Sequence, residues 1–346
     1  MKKNKYQRCL WPLLSRIDPE SAHTLATSLL SWSQGNRGGR ALLASVAGSI
    51  PSSPVRLFGL DFPNVLGVAA GFDKEGRVAS GLALLGFGHI EVGTITPHPQ
   101  IGNPRPRIFR LPLDKGLINR MGFPSSGKEI AALRLGQLPR HEFVLGVSLG
   151  KQKKTPLAEA VQDYLDVMRA LYPYADYLAV NISSPNTPEL RQLQGDKYLG
   201  ELLGALVNEN TSLASTHHTQ KKPILVKIAP DLSANELDQM LKIILENKVD
   251  GVIATNTTTD HEGLKDGNRH ETGGLSGAPL SERSNQLIAH IAKETNYQLP
   301  IIGVGGVFSA EDVRAKLDAG ASLVQLYTAM VYKGPGIAGQ ILRELK

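Results

Sequence analysis

The stretch YLAVNISSPNTPEL, residues 177–190, begins as a continuous apolar run and ends in small polar side chains and prolines. Short continuous apolar runs are typical of strands that are buried on both faces of a parallel sheet. Seven more runs of this kind occur along the chain, and helical patterns such as 156–171, 233–248 and 309–320 lie between them. The eight predicted strands are 64–70, 89–95, 143–149, 177–183, 223–229, 251–257, 300–306 and 323–329.

Eight strand–helix units predict an α/β fold, a (β/α)8 TIM barrel. An open, doubly wound sheet is the alternative, and it is disfavoured because no G-x-G-x-x-G motif opens the helix after the first strand. Barrel enzymes build their sites from the loops that follow the strands, and polar clusters follow these strands repeatedly. The second such loop, 96–123, is long enough to predict a lid or a binding element.

The composition is that of a globular protein, with 41% hydrophobic and 20% charged residues in a chain of 346. Cys9 is the single cysteine, which excludes an intrachain disulfide, a cysteine-ligated zinc site and an iron–sulfur cluster. We expect no metal among the site residues. A reducing, cytoplasmic compartment fits this use of cysteine.

The first 40 residues are both basic and apolar. They hold seven Lys or Arg residues against Asp18 and Glu20, a net charge of +5 out of +6 for the chain. Asp18 and Pro19 predict the start of an amphipathic helix, and residues 10–17 predict a shorter one before it. No run reaches the roughly 18 apolar residues of a membrane span, so these helices can lie on an anionic lipid surface. A helical pair packed on the main domain is the alternative. We divide the chain into 1–40 and 41–346.

Two features of the later strands suggest an anionic ligand. Barrels often bind phosphate through backbone N–H groups near the last two strands, where this chain has the turn GVGG, residues 303–306, and the YT pair, 327–328. A tight structural turn is an equally good explanation of GVGG. Lys227 lies inside an apolar strand, where its charge needs an anion unless the side chain reaches the strand end. Reduced flavin carries such negative charge.

Amides are concentrated on the same predicted face, at Asn119, Asn181, Asn186 and Asn256. An amide both donates and accepts hydrogen bonds, which suits a flat ring bearing N–H and C=O groups, although each asparagine could instead form a turn. Lys74 could bind a substrate carboxylate or remain solvated.

Ser184 lies within the opening stretch, but the surrounding residues do not predict a hydrolase. No histidine lies near it and no G-x-S-x-G motif is present, so a Ser-His-Asp triad is unsupported. The hydroxyl could act as a general base if the substrate proton is acidified and if water or Thr187 relays it.

A set of motifs in fixed order resembles quinone-dependent (class 2) dihydroorotate dehydrogenase over essentially the whole chain, including the N-terminal helices. Class 1 relatives use a cysteine as the base, whereas Cys9 lies far from the Ser184 loop in the sequence. The motifs are AAGFDKEG at 69–76, NRMGFPS at 119–125, VNISSPNTPELR at 180–191, VKIAPD at 226–231, TNTT at 255–258, GGLSG at 273–277 and GVGGV at 303–307.

The resemblance implies oxidation of (S)-dihydroorotate to orotate in de novo pyrimidine (UMP) synthesis, with one FMN as hydride acceptor and a membrane quinone as final acceptor. It implies that Ser184 removes the C5 proton while the C6 hydrogen leaves as hydride to flavin N5. The implied substrate ligands are Lys74, Asn119, Arg120, Met121, Gly122, Phe123, Asn181, Asn186, Asn256 and Thr257. The implied FMN ligands are Ala70, Gly71, Thr94, Ser148, Asn181, Lys227, Thr255, Gly277, Gly306, Tyr327 and Thr328, the last three at the phosphate.

The same resemblance makes residues 1–40 the segment for membrane association and quinone access, with His23 and Arg110 as quinone contacts. It implies a monomer that binds dihydroorotate, orotate, quinone and lipid but no nucleic acid, peripherally at the cytoplasmic face of the cell (inner) membrane. Two positions depart from the family pattern: Ser148 stands where asparagine is common, and Thr328 where serine is frequent.

Two other functions fit a flavin or ligand-binding barrel. One is reduction of a different planar ring, such as a uracil-type base in RNA, which would place basic surface around the active face rather than on an apolar N-terminus. The other is a barrel that binds lipid or ligand without catalysis.

Overall fold

A computed structural model describes residues 4, 6–139, 142–187 and 189–346. Within these residues the chain alternates strands and helices in the order that the apolar runs predict. The strands are β1 Val55–Leu57, β2 Leu60–Phe62, β3 Leu66–Val68, β4 His89–Ile95, β5 Ile108–Leu111, β6 Gly116–Asn119, β7 Val144–Leu149, β8 Tyr177–Asn181, β9 Ile224–Ile228, β10 Gly251–Ala254, β11 Gly274–Gly277, β12 Ile301–Val304 and β13 Leu323–Leu326.

The helices flank these strands, and most of the later ones lie between successive barrel strands. They are α1 Trp11–Leu14, α2 Pro19–Gln34, α3 Arg37–Ala47, α4 Ala79–Leu84, α5 Lys128–Leu135, α6 Ala160–Leu171, α7 Asp196–Thr216, α8 Ala234–Glu246, α9 Ser281–Glu294, α10 Ala310–Asp318, α11 Thr328–Lys333 and α12 Ile337–Leu345. A π-helical turn covers Tyr6–Leu10, and 3₁₀ turns cover Leu157–Glu159, Leu190–Gln194, Gly267–His270 and Ala278–Leu280.

Eight parallel strands close into a barrel in the order β3, β4, β7, β8, β9, β10, β12, β13. Each of them lies within one of the eight predicted strands, so the prediction of a (β/α)8 TIM barrel is confirmed. The register pairs Asn181 on β8 with Lys227 on β9 at the carboxyl ends of the two strands. Polar side chains from separate sequence motifs therefore meet at one mouth of the barrel.

The hydrophobic core has two layers because barrel strands are buried on both faces. The outer layer lies between the strands and the surrounding helices, where residues such as Val226, Leu241 and Ile291 pack together. The inner layer fills the barrel and includes Tyr177 and Ile302. At the amino-terminal end of the strands, the β1–β2 hairpin contributes Phe62 to this inner layer.

A small antiparallel sheet was not predicted from the sequence. It joins β5 and β6 of the long 96–123 loop to β11, in the order β11, β6, β5. Leu117 and Ile108 from this sheet reach the barrel mouth, where they line a cavity. The long loop is thus an ordered cover on the barrel mouth, and its role as a binding element stays a prediction.

The N-terminal helices are fastened to the barrel by polar contacts. Asp18 caps α2 as predicted, because its side chain accepts a hydrogen bond from the Ser21 N–H at 2.8 Å. Glu20 on α2 forms an ion pair with Arg107 at 2.7 Å. Arg110 on β5 donates to the Ile17 carbonyl at 2.6 Å. These contacts fix the helices beside the strands that form the cover.

The division of the chain between residues 40 and 41 does not coincide with a break between helices. Helix α3 begins at Arg37 and continues through Gly38 and Gly39, so a boundary at residue 40 falls within a helix. Gly39 is required because a Cβ there would lie 2.5 Å from the Ser33 Cα of α2. Close packing of α2 against α3 therefore explains the glycine at position 39.

Helix α2 has two apolar faces. Ala22 and Leu30 are buried against the barrel, whereas Leu25, Leu29 and Trp32 are exposed by 46%, 57% and 69%. Among the residues that the structure describes, sixteen large hydrophobic side chains are exposed, and nine of them belong to residues 10–50. The exposed apolar surface is therefore concentrated on this segment. None of the helices in the described residues is long and apolar enough to span a membrane.

Candidate active site

A cavity of about 1180 Å³, including its open mouth, lies at the carboxyl ends of the barrel strands. It is bounded on one side by the small sheet and on the other by the loops after β8, β10 and β12. The cavity is lined by Ser184 and by every predicted substrate or cofactor ligand except Arg120 and Ser148. Residues from seven separated motifs therefore converge on one chamber.

Ser184 lies in the loop after β8 and is 5% exposed. Its Oγ accepts a hydrogen bond from the Asn186 N–H at 3.3 Å. The Asn186 side chain donates to Asn119 Oδ1 at 3.2 Å, and Asn119 donates to the Gly274 carbonyl at 3.3 Å. This line of amides connects the Ser184 loop to the small sheet that covers the cavity.

A second line of hydrogen bonds crosses the barrel mouth. Asn256 donates to Asn181 Oδ1 at 3.2 Å and to Ser183 Oγ at 3.0 Å. Asn181 donates in turn to Thr94 Oγ1 at 2.8 Å. The four asparagines are thus oriented by neighbours while they line the cavity, where they can pair with a ring that carries both N–H and C=O groups.

Lys74 contributes a positive charge to the cavity lining. Its ammonium donates to the Gly71 carbonyl at 2.6 Å. Burial lowers the pKa of Lys74 to about 8, and the nearby Glu20 carboxylate offsets part of this effect. An anion that enters the cavity would therefore meet a partly desolvated cation, which interacts more strongly than a solvated one.

Lys227 is the predicted flavin ligand inside β9, and its partner in the barrel is Glu91 on β4. The two side chains lie 3.2 Å apart, and Glu91 is fully buried. The Glu91 carboxylate also accepts hydrogen bonds from Tyr177 at 3.2 Å and from Gln325 at 3.1 Å. The Lys227 ammonium thus pairs with the Glu91 carboxylate inside the barrel, and the same side chain lines the cavity. Glu91 was not predicted as a site residue, although it too is a charged side chain within an apolar strand, which is the feature that singled out Lys227.

The glycine turn after β12 and the start of α11 form a group of free backbone donors. Within the described residues, the N–H groups of Gly305, Gly306, Thr328 and Ala329 have no hydrogen-bond acceptor. All four residues line the cavity. Gly306 has a φ of +72°, and a Cβ there would lie 2.5 Å from Ser281 Cα, so only glycine fits.

Converging free N–H groups of this kind form an anion-binding concavity. The four donors therefore fit the phosphate of FMN, as the resemblance implies. Ser276 was missed by the sequence analysis. It lines the cavity beside these donors, and its Oγ lies 2.9 Å from Thr328 Oγ1.

Two predicted ligands lie outside the cavity lining. The Arg120 guanidinium pairs with Glu271 at 2.7 Å and lies 4.4 Å above the Phe109 ring, so it does not reach the cavity. Ser148 is fully buried behind Thr94, to which it is hydrogen-bonded at 2.9 Å. Arg120 is therefore a support of the small sheet, and Ser148 can act on a cofactor only through Thr94.

His23 and Arg110, the predicted quinone contacts, lie on the N-terminal side of the cavity. The His23 ring packs edge-on against Phe72 at 5.1 Å, and Phe72 packs against Tyr327 at 5.8 Å. Burial lowers the pKa of His23 to about 3, so its imidazole is neutral at physiological pH. Arg110 Nε is buried without a hydrogen-bond partner in the described residues.

In the described part of the chain, no three His, Cys, Asp or Glu side chains are grouped so that they could hold an ion. The polar groups of the cavity are instead amides, hydroxyls, ammonium groups and backbone N–H donors. This donor set suits an organic ring and an anion.

Comparisons with known proteins give the same assignment over most of the chain. A family model described as "Dihydroorotate dehydrogenase" matches residues 53–346. Two relatives are named "Dihydroorotate dehydrogenase (quinone)". The protein from Acidithiobacillus ferrooxidans is 48% identical over 97% of this chain and 93% of its own. The protein from Nitrosomonas eutropha is 47% identical over 96% of this chain and 95% of its own.

Among solved structures, a dihydroorotate dehydrogenase from Eimeria tenella in complex with ferulenol superposes with a TM-score of 0.84 and 38% identity. The match covers 95% of this chain and 90% of that chain. A ligand-free structure from the same organism gives a TM-score of 0.82, with 93% of each chain covered. Together with the family match, these similarities establish that the chain belongs to the dihydroorotate dehydrogenase family.

Proposed function

We propose that this protein oxidises (S)-dihydroorotate to orotate for pyrimidine synthesis, with FMN as the bound flavin and a membrane quinone as the final electron acceptor. The observation that carries the proposal is the single chamber in which a serine, four asparagines, a buried lysine and a partly buried lysine converge beside four free backbone donors. Family membership and the relatives named quinone-dependent support the reaction class.

The substrate binds on the Lys74 side of the chamber. The Lys74 ammonium pairs with the carboxylate of dihydroorotate, because it is the cation that lines the cavity on that side. Asn119, Asn186 and Asn256 hold the ring amides. The hydrogen bond from Asn186 to Asn119 and the one from Asn256 to Asn181 limit the orientations that they can adopt. Met121, Gly122, Phe123 and Thr257 complete the walls.

Ser184 is the base in this proposal. It accepts the proton from C5 of dihydroorotate while the hydrogen on C6 leaves with its electron pair, so that a C5=C6 double bond forms and orotate results. The serine proton passes onward through water or Thr187, whose Oγ1 is buried and unpaired within the described residues. A buried hydroxyl with a free donor and acceptor is suited to such a relay.

FMN binds in the remainder of the chamber, between Lys227 and the free N–H groups of Gly305, Gly306, Thr328 and Ala329. When bound, the flavin supplies the acceptor for the hydride and the two-electron donor for quinone. Lys227 would hold the flavin ring in place, and its ammonium would stabilise negative charge on it. Burial raises the pKa of Tyr327 to about 12, so its hydroxyl remains neutral beside the cofactor.

Quinone reaches the chamber from the N-terminal helices, which gives residues 1–40 their proposed role in membrane association and quinone access. Two rows of rings support this route. One runs from His23 through Phe72 to Tyr327. The other runs from Trp11 to Tyr332 at 4.9 Å and on to Phe308 at 6.5 Å.

The neutral His23 imidazole and the free Arg110 Nε donor offer hydrogen bonds to the carbonyl oxygens of a quinone head group. Both lie on the N-terminal side of the ring rows, where a ligand would pass from lipid to flavin. The protein is proposed to be a monomer, peripheral on the cytoplasmic face of the inner membrane.

Membrane association predicts that the exposed face of α2 contacts lipid. Replacing Leu25, Leu29 and Trp32 together with serine should lower partition onto anionic vesicles by about a hundredfold or more, because each buried side chain is worth roughly 1.5–3 kcal/mol. Vesicle co-sedimentation measures this. The matched control replaces Leu113, Leu133 and Leu245, which are exposed elsewhere, and should leave partition unchanged. Equal loss in both triple variants would contradict a specific membrane face.

The Lys74 side chain predicts a pH dependence for orotate binding. The ammonium is present below its pKa of about 8 and is lost above it, so affinity should fall as pH rises through 8. If only the ammonium binds the carboxylate, the Kd rises about tenfold per pH unit above that point. Titration of the flavin spectrum with orotate measures the Kd. In Lys74→Met binding should be weak and independent of pH; a wild-type Kd that stays flat to pH 10 would remove this role.

A direct assay tests the whole proposal. Purified protein with dihydroorotate and a short-chain quinone analogue should form orotate and quinol in equal amounts. Fumarate and NAD, offered separately as acceptors, should support no turnover. Formation of orotate with NAD or fumarate but not with quinone would assign the protein to a different class of acceptor.

A further inference from the structure

The loop that carries Ser184 is anchored by Arg191, which lies outside the cavity lining. Its Nε donates to the Ser183 carbonyl at 3.2 Å. This carbonyl belongs to the peptide that joins Ser183 to Ser184, so the contact acts on the backbone that orients the Ser184 side chain. Its Nη2 donates to the Thr257 carbonyl at 3.1 Å, in the loop after β10.

The third contact of Arg191 is an ion pair with Asp231, at 2.8 Å from Nη1. Asp231 follows β9 and also accepts hydrogen bonds from Thr258 and from the Thr259 N–H. Burial raises the pKa of Asp231, but these hydrogen bonds and the charge of Arg191 outweigh it and hold the pKa below its usual value. The carboxylate is therefore a stable anchor for the guanidinium.

We propose that Arg191 is a positioning residue for dihydroorotate oxidation, which holds Ser184 in register with Asn256 and Thr257. One guanidinium joins the loops after β8, β9 and β10 through three different donors. Its planar, rigid fork meets the three acceptors at once, which a lysine ammonium on a flexible stem cannot do. The inference rests on the proposed role of Ser184 as the base.

Arg191→Gln tests this inference in the FMN-loaded protein. The rate constant for flavin reduction at saturating dihydroorotate should fall about a hundredfold, since a shift of about 1 Å in a catalytic group has that effect. The FMN content and the rate of reoxidation by a quinone analogue should be unchanged. Arg191→Lys should be intermediate.

Chemical rescue separates positioning from general structural damage. The Arg191 side chain is 26% exposed, so solvent reaches the space that it leaves. Adding methylguanidinium to Arg191→Ala should therefore restore part of the reduction rate. A failure of both methylguanidinium and the lysine variant to recover any rate would contradict a positioning role.

The chain offers a matched control in Arg283, which pairs with the same Asp231 at 3.0 Å. Within the described residues its hydrogen bonds go to the side chains of Asp231, Thr258 and Asp260 and not to a loop carbonyl. Arg283→Gln should stay within about twofold of wild type. Equal losses in the two glutamine variants, or wild-type reduction in Arg191→Gln, would overturn the inference. Failure of wild-type protein to be reduced would instead reject the function itself.

Discussion

Ser184→Ala should lower the rate constant for flavin reduction by dihydroorotate about a thousandfold, because a positioned general base typically contributes 10²–10⁴-fold. The FMN content should remain that of wild type, since Lys227 and the free backbone donors at Gly305 and Gly306 are untouched. Anaerobic rapid mixing measures the rate constant directly, and reoxidation by quinone provides an internal reference that should not change.

Ser183 is the matched control for Ser184. It is the neighbouring serine, fully buried, and its Oγ accepts a hydrogen bond from Asn256 at 3.0 Å. Ser183→Ala leaves Asn256 with its contact to Asn181, so we expect a loss of about tenfold or less, as for a single hydrogen bond. A Ser184→Ala protein that reduces its flavin at nearly the wild-type rate would remove Ser184 as the base.

Lys227→Ala should both destabilise the protein and weaken FMN binding. Removing one partner of a buried ion pair costs about 3–5 kcal/mol, because the other charge is left uncompensated, and Glu91 is fully buried at 3.2 Å from Lys227. The remaining carboxylate also lies beneath the site where reduced flavin carries negative charge. Urea unfolding at saturating FMN measures the first effect, and flavin release on dilution measures the second.

A double variant separates these two effects. Lys227→Met with Glu91→Gln removes both charges, so most of the unfolding free energy should return. FMN should still dissociate at least about tenfold more readily than from wild type, because the cation that faces the cofactor is missing. Full flavin retention in Lys227→Ala would contradict the proposed contact, and equal stability of the single and double variants would contradict the ion pair.

The barrel could be predicted because each of its strands is buried on both faces and is therefore a continuous apolar run. The run at 223–229 contains β9 even though Lys227 interrupts it. The small sheet could not be predicted, because β11 pairs with β6 through contacts such as Gly274 with Asn119, which lie far apart in the sequence. Short strands within a proline-rich loop carry too few apolar residues to reveal such a partner.

Most of the residues that line the cavity could be predicted from the sequence motifs. The predictions that differ from the structure concern the direction in which a side chain points. Arg120 is part of the NRMGF motif, but its guanidinium forms an ion pair with Glu271 and does not line the cavity. Only the tertiary structure could show this, since Glu271 belongs to a different loop. Glu91 and Arg191 are the opposite case, because only the tertiary structure shows their contacts. Glu91 pairs with Lys227 from a distant strand. Arg191 ends the VNISSPNTPELR motif, but the sequence does not show that its side chain donates to the Ser183 carbonyl beside Ser184.

The most direct test of the account is an anaerobic spectrum. The purified protein should be yellow, and stoichiometric dihydroorotate should bleach the oxidised flavin band within the mixing time of a manual experiment. A short-chain quinone analogue should then restore the band, whereas fumarate and NAD should not. A yellow protein that dihydroorotate leaves unbleached would contradict the proposed substrate, and a protein that stays colourless after incubation with FMN would contradict the flavin site.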